Sequence, residues 1–268
     1  MSVLITGGAG FIGSHTAVEF LNAGYEVVIM DNFSNSKPVV LDRIREITGK
    51  DFKFYKADLL DVASMDQIFE ENPDIDSCIH FAGLKAVGES VAKPLEYYHN
   101  NVTGTLLLCD SMRRHGVKTI VFSSSATVYG DPDEVPIKET ARVGNATNPY
   151  GETKVMIERI LKDFYVADNE WNISILRYFN PIGAHESGRI GEVERMCGIE
   201  LLKWQRTICT TTPSFTATAS SISKNNKKSV VCVGQPIFII MLPARPNDPC
   251  IQTTQIPLCL SWDHSEPP

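Results

Sequence analysis

Apolar positions along residues 1–192 repeat with two alternating periods. Strand-like runs stand at Val3–Thr6, Glu26–Asp31, Lys53–Ala57, Ser77–Phe81, Thr119–Ser124 and Ile173–Tyr178. Between them, helical spacing predicts helices over Ser14–Leu21, Val39–Thr48, Ser64–Glu71, Pro94–His115 and Tyr150–Ala167. Strands that alternate with helices predict an α/β fold, a doubly wound parallel sheet covered on both faces. Right-handed crossovers bring the carboxyl ends of such strands to one edge, which is where ligands bind.

The pattern fails after Glu192. Short pieces at Glu200–Trp204, Ser229–Val233 and Ile237–Leu242 are all that suggest regular structure there. Composition shifts at the same point: residues 1–192 hold 18 Lys+Arg against 27 Asp+Glu, residues 193–268 hold 7 against 5. The second part also has five of the seven cysteines and eight of the fifteen prolines. Its cysteines follow no C-x-x-C spacing, so no metal site is expected. The expected division is a domain over 1–192 and an atypical tail over 193–268, frame-shifted or poorly ordered. For the whole chain, 43% hydrophobic and 21% charged residues are those of a soluble globular protein. A net charge of -7 argues against nucleic-acid binding. The strand signal from residue 3 leaves no room for a leader, and Val230–Leu242 is too short and interrupted to cross a membrane. A cytoplasmic protein is expected.

Residues able to do chemistry fall at the expected sheet edge. Gly7-Gly8-Ala9-Gly10-Phe11-Ile12-Gly13 lies between the first strand and first helix. Its G-x-x-G-x-x-G spacing is wider than the common G-x-G-x-x-G dinucleotide fingerprint. Glycines there let backbone approach a pyrophosphate, and the unpaired helix N–H groups point at it. The sheet is therefore expected to be Rossmann-like. Asp31 ends the second strand 18 residues after Gly13, where a carboxylate accepts both hydroxyls of an adenosine ribose and favours NAD over a phosphorylated relative. It could instead cap a turn with Asn32. Asp58-Leu59 follows the third strand, where Asp58 could meet an adenine edge or equally cap a helix. The fourth strand ends in Phe81-Ala82-Gly83, small enough for a ribose to lie on the backbone or for a tight turn.

The fifth strand ends in Ser123-Ser124-Ser125, and Tyr150 and Lys154 follow at i and i+4 on one helical face. A phenol titrates near pH ~10 in isolation, so it is a poor base at neutrality. A neighbouring ammonium and a cationic nicotinamide are expected to lower that value. With Ser125 at the same oxygen, the group suits oxidation of a secondary alcohol.

These motifs, with the stretches Ile79–Ser90, Pro94–Asn101 and Leu176–His185, resemble the UDP-glucose 4-epimerases of the extended short-chain dehydrogenase/reductase superfamily. The resemblance covers residues 2–192. It implies that NAD is held by the glycine loop with Phe11 and Ile12, by Asp31, Asn32, Phe33, Ser34, Asn35 and Ser36, and by Asp58 and Leu59. Phe81, Ala82, Gly83, Leu84 and Lys85, then Asn100, Ser125, Tyr150, Lys154 and Phe179, complete that set. Lys85, Ser125, Tyr150 and Asn180 are implied at the substrate. Lys85 could also be a solvated loop lysine, and Phe179 a core residue.

The implied reaction interconverts UDP-galactose and UDP-glucose. Tyr150 takes the C4 hydroxyl proton as NAD accepts the hydride, the 4-ketose turns over, and the hydride returns to its other face. The family often dimerises through helices around Tyr98–Arg114 and Thr153–Phe164. Its members continue after Gly191-Glu192 into a substrate domain that the sequence from Val193 does not resemble. Weak or absent activity is therefore expected, and a non-catalytic NAD-binding remnant is one alternative. A nucleotide-sugar 4,6-dehydratase is another, though Ala126-Thr127 stands where that group carries an Asp-Glu pair.

Overall fold

The computed structural model describes residues 1–138, 140–179, 181 and 184–191, together with the backbone of strands 217–222, 228–233 and 238–243. Six strands run parallel in one sheet: β1 Ser2–Thr6, β2 Glu26–Asp31, β3 Lys53–Lys56, β4 Ile75–His80, β5 Thr119–Ser125 and β6 Asn172–Tyr178. Their order is β3-β2-β1-β4-β5-β6, so the sheet reverses direction of growth between β1 and β4. That reversal opens a crevice at the carboxyl edge. β7 (Ala217–Ile222) pairs antiparallel with β6, and β8 (Lys228–Val233) pairs with β9 (Phe238–Pro243) in a separate hairpin.

The helices are α1 Phe11–Asn22, α2 Val39–Thr48, α3 Val62–Glu71, α4 Val87–Ala92, α5 Pro94–Tyr97, α6 Gly104–Arg114 and α7 Pro149–Ala167. Side chains of one strand alternate between two cores, and β1 shows why both faces are apolar. Val3 and Ile5 pack with Phe20 and Ile44 beneath α1 and α2, while Leu4 packs with Ile68, Leu108 and Leu161 beneath α3, α6 and α7. Each such side chain, fully buried, contributes about 1.5–3 kcal/mol.

The expected Rossmann-like sheet is present, and β2 and α2 have the predicted limits. Three differences matter for the site. α1 starts at Phe11 rather than Ser14, because Gly10 is extended (φ -74°, ψ 178°) and the chain turns helical at once. The helix expected over Pro94–His115 is interrupted by a π-helical turn, Tyr98–Thr103. α4 was not anticipated at all. In the tail, β8 and β9 coincide with two of the short pieces read from sequence and β7 with none. Glu200–Trp204 and the boundary at Glu192 lie outside the described residues.

Candidate active site

Three glycines shape the first loop for different reasons. Gly7 has φ +67°, and a Cβ there would stand 2.7 Å from the Ala82 backbone nitrogen. At Gly13 a Cβ would collide with the Gly7 carbonyl and approach the Gly8 Cα to 2.7 Å. These two are needed for protein to pack on protein. A Cβ on Gly10 would meet only the Gly7 oxygen, at 3.1 Å, so Gly10 alone keeps an open side. No side chain caps α1, and its first turn carries no acidic residue. Its start is a run of N–H groups aimed outward, a seat for an anion.

Asp31, at the end of β2, is buried and its carboxylate organises the neighbouring backbone. Oδ2 accepts from the Ala9 N–H (3.0 Å), and Oδ1 accepts from the Phe33 N–H (2.9 Å) and the Ser36 hydroxyl (2.8 Å). These bonds show the turn-capping role of Asp31. Phe33 takes the left-handed conformation at φ 61° to follow this turn, and its ring packs on Phe54. Asn32 donates to Asp58 Oδ2 (2.7 Å), and Asp58 Oδ1 accepts from the Leu60 N–H (2.9 Å). Asp58 caps this turn rather than a helix: Asp61 is the residue that caps α3. Leu59 is buried in the core against Gly104, which leaves only its backbone to serve a ligand. Ser34 and Asn35 are exposed on the same loop.

Across the crevice, Phe81-Ala82-Gly83 leaves β4 with the Phe81 N–H donating to the Thr6 carbonyl (3.1 Å). Leu84 is gripped at both backbone groups by Asn101: Leu84 N–H to Oδ1 at 2.8 Å, and Nδ2 to the Leu84 carbonyl at 2.9 Å. Asn101 sits in the π turn, is 2% exposed, and also receives Asn100 Nδ2 on Oδ1 (2.9 Å). Lys85 follows as an exposed residue.

Ser125 ends β5, and its hydroxyl is a hydrogen-bonding partner of the Tyr150 phenol. Asn148 accepts from the Gly151 N–H (2.9 Å) and Pro149 occupies the first turn, so α7 begins at Tyr150's doorstep. Four residues on, Lys154 is 6% exposed. Its ammonium donates to the Ser123 carbonyl (2.8 Å) and lies 4.8 Å from the Phe122 ring centre and 5.7 Å from that of Tyr150. Burial pulls the Lys154 pKa down to about 8, against the charge of Glu158 one turn further along. The Tyr150 pKa is raised by burial, with the Ser125 hydrogen bond opposing. This corrects the expectation that the lysine would lower it: at 5.7 Å from the ring, the ammonium does not outweigh desolvation.

Sequence reasoning missed the polar layer under these groups. Glu158 is fully buried and accepts from Ser124 (2.7 Å) and from Arg177 through Nε (2.9 Å) and a terminal nitrogen (2.7 Å). Arg177 also donates to the Tyr129 hydroxyl (3.0 Å). Burial disfavours the Arg177 charge, but its bonds to Glu158 and Tyr129 hold its pKa above the usual range. The signal was present in the i, i+4, i+8 stripe of Tyr150, Lys154 and Glu158. Phe179 is half-buried just past β6, and Asn180 lies outside the described residues.

The chain therefore has a Rossmann-type sheet whose switch point separates an anion seat from a Ser-Tyr-Lys group. A family model described as the NAD dependent epimerase/dehydratase family matches residues 3–198. The chain belongs to that family. It is 65% identical over 192 residues to the UDP-glucose 4-epimerase of Bacillus subtilis, and 55% to that of Yersinia pestis, in each case over 72% of this chain and 56% of the relative. It spans about half the length of these relatives. The UDP-glucose 4-epimerase of Bifidobacterium longum, solved with NAD+ and UDP, is 58% identical with a TM-score of 0.72, over 73% of this chain and 58% of that one. A Stenotrophomonas maltophila enzyme, solved with NAD and formylated UDP-arabinopyranose, has the same TM-score at 45% identity, over 76% and 60%.

The residues present fit a dinucleotide. The open side of Gly10 and the uncapped start of α1 suit a pyrophosphate, and no carboxylate in that turn repels one.

Proposed function

We propose that residues 1–192 are the NAD-binding domain of a UDP-glucose 4-epimerase and that 193–268 form a tail in place of the substrate domain. The observation that carries this reading is the Ser125–Tyr150–Lys154 group, built across the crevice from an uncapped glycine-loop helix. Phe11, Ile12 and Gly13 would bind the pyrophosphate through backbone N–H groups. Asp31 would take the adenosine ribose, its carboxylate already oriented by Ala9, Phe33 and Ser36. Asn32 to Ser36, Asp58 and Leu59 would surround the adenine end. Phe81 to Lys85, Asn100, Lys154 and Phe179 would line the nicotinamide end.

NAD, when bound, supplies the two-electron acceptor at the sugar's C4. Tyr150, once deprotonated to the phenolate, would take the C4 hydroxyl proton, and Ser125 would hydrogen-bond the same sugar oxygen. Lys154 keeps a positive charge beneath the pair, and Lys85 and Asn180 are assigned to the UDP-sugar. UDP-galactose and UDP-glucose are the proposed substrates. Activity is proposed to be weak, because the match to the relatives covers 192 residues and residues 193–268 do not resemble their substrate domain. Exposed Leu106 and Met156 on α6 and α7 support pairing of two copies through those helices. Among the described residues no helix is long and apolar enough to cross a membrane, and a cytoplasmic place is part of the proposal.

The test mixes the purified chain with NAD and UDP-galactose and measures cofactor affinity and UDP-glucose formed. Tight NAD binding with conversion far below that of a full-length epimerase is expected. Failure to bind NAD would sink the reading, and full conversion would remove the claim of weak activity.

A further inference from the structure

His80 ends β4 and is 1% exposed, and no part of the reaction above uses it. Its ring touches two hydroxyls: Nδ1 is 2.7 Å from Thr6 Oγ1 and Nε2 is 2.9 Å from Thr105 Oγ1. Hydrogen-bond accounting fixes every proton in this chain. Thr105 donates its single hydroxyl proton to the Asn101 carbonyl at 2.7 Å, since a carbonyl can only accept. Its oxygen must then accept from His80, so the histidine carries its proton on Nε2. A neutral ring with Nε2–H has a bare Nδ1, which accepts from the Thr6 hydroxyl. The Thr6 oxygen in turn faces the Ala82 N–H at 3.4 Å.

Each end of the chain reaches a different part of the site. Thr6 leads to Ala82, the backbone against which Gly7 packs. Thr105 leads to Asn101, which grips Leu84 and donates to Thr153 Oγ1 at 3.2 Å. Thr153 donates to the Tyr150 carbonyl at 2.7 Å. Asn101 uses both amide protons and receives two donors on its oxygen, so the π turn has no slack. Such turns occur often at functional sites. Lys154 is the charged group that bears on the ring, and it opposes imidazole protonation as burial does.

We propose that His80, held as the Nε2–H tautomer, is a positioning residue that couples the glycine-loop seat at Ala82 to the helix start that carries Tyr150. The proposal rests on the function given above only for the meaning of those two ends. A histidine that merely filled the core would keep the same tautomer but would show no separable effects at the two ends.

The test has readouts that do not need turnover. Imidazole 15N shifts of the cofactor-free chain should show a protonated Nε2 and a bare Nδ1. In H80N the amide oxygen can replace Nδ1 but nothing reaches Thr105. In H80Q the amide nitrogen can replace Nε2 but Thr6 loses its acceptor. H80N should therefore move the Tyr150 13Cζ resonance while leaving the Ala82 amide in place, with NAD affinity within about threefold. H80Q should do the reverse, moving the Ala82 amide and weakening NAD about tenfold. T105V should reproduce the Tyr150 shift with His80 intact, and T105S should restore it. An Nδ1–H tautomer overturns the proposal, as do H80N and H80Q with the same effect at both ends. If the unsubstituted chain binds no NAD, the functional reading fails while the tautomer and the two resonances still decide this one.

Discussion

Around β1 and β2 the edge of the sheet is made of backbone: Gly10, the N–H groups that open α1, and main-chain donors drawn together by Asp31. Around β5 and α7 it is made of side chains, Ser125, Tyr150 and Lys154, set on a buried polar floor of Ser124, Glu158 and Arg177. The first region binds through geometry that glycine alone permits. The second works through charges and protons whose values depend on what lies beneath. A change in the first should therefore show in affinity, and a change in the second in rate, titration or stability.

The sharpest separation is expected from Tyr150→Phe. Loss of the proton acceptor should cut oxidation of UDP-galactose by about 10²–10⁴-fold, with NAD affinity nearly unchanged. A loss below tenfold, followed as reduced cofactor, would remove Tyr150 from the proton step.

Next in size is the floor. Glu158→Ala leaves the Arg177 charge buried without its partner and should cost about 3–5 kcal/mol in urea unfolding. E158L combined with R177M should cost less, because the Arg177 charge is no longer stranded and only the weaker support of Lys154 is lost. Equal losses would mean the pair acts by packing alone.

The third test uses pH. The folded pKa of Lys154, about 8, lies below its ordinary 10.5, so between those values the native chain binds fewer protons than the unfolded one. Stability should rise with pH across that window, by on the order of 3 kcal/mol, and Lys154→Met should flatten the rise. Above pH 10 Tyr97 and Tyr178 act oppositely, since burial raises both phenols and keeps them protonated when folded. A flat profile in the unsubstituted chain would mean Lys154 is not desolvated as described.

The smallest effects test the backbone region. Gly13→Ala forces a Cβ onto Gly7 and Gly8 and should destabilise the fold by about 1–3 kcal/mol. Gly10→Ala should cost less stability than Gly13→Ala, since its Cβ meets only the Gly7 carbonyl oxygen, at 3.1 Å, yet should weaken NAD binding. The comparison breaks if the two alanines behave alike in melting and binding.

The same contrast explains what could be read from the chain. A backbone site is coded by neighbours, so the glycine spacing and Asp31 were legible, and strand–helix alternation placed them at one edge. The turn-capping role of Asp31 was legible from Asn32 beside it, while the bond back to Ala9 joins two segments that sequence alone does not bring together. The polar floor of Ser124, Glu158 and Arg177 and the hydrogen-bond chain through His80 are both coded across long separations. Thr6, His80, Thr105 and Thr153 come from β1, β4, α6 and α7, and nothing local ties them together. Nor does hydrophobic spacing reveal a π turn, because one widened turn leaves the apolar stripe nearly in phase. The direction of the Tyr150 shift was misjudged for a related reason: spacing gives the neighbour, while burial is set by the whole fold.

Lys154 has a consequence for the surrounding solution. Its ammonium is enclosed by Ser123, Phe122 and Tyr150, so mobile ions cannot approach it. At physiological ionic strength exposed charges are screened beyond about 8 Å, but an enclosed one keeps its field. The field of the Lys154 charge inside the site should therefore be indifferent to salt, even where docking of an anionic nucleotide at the open start of α1 weakens as salt is added.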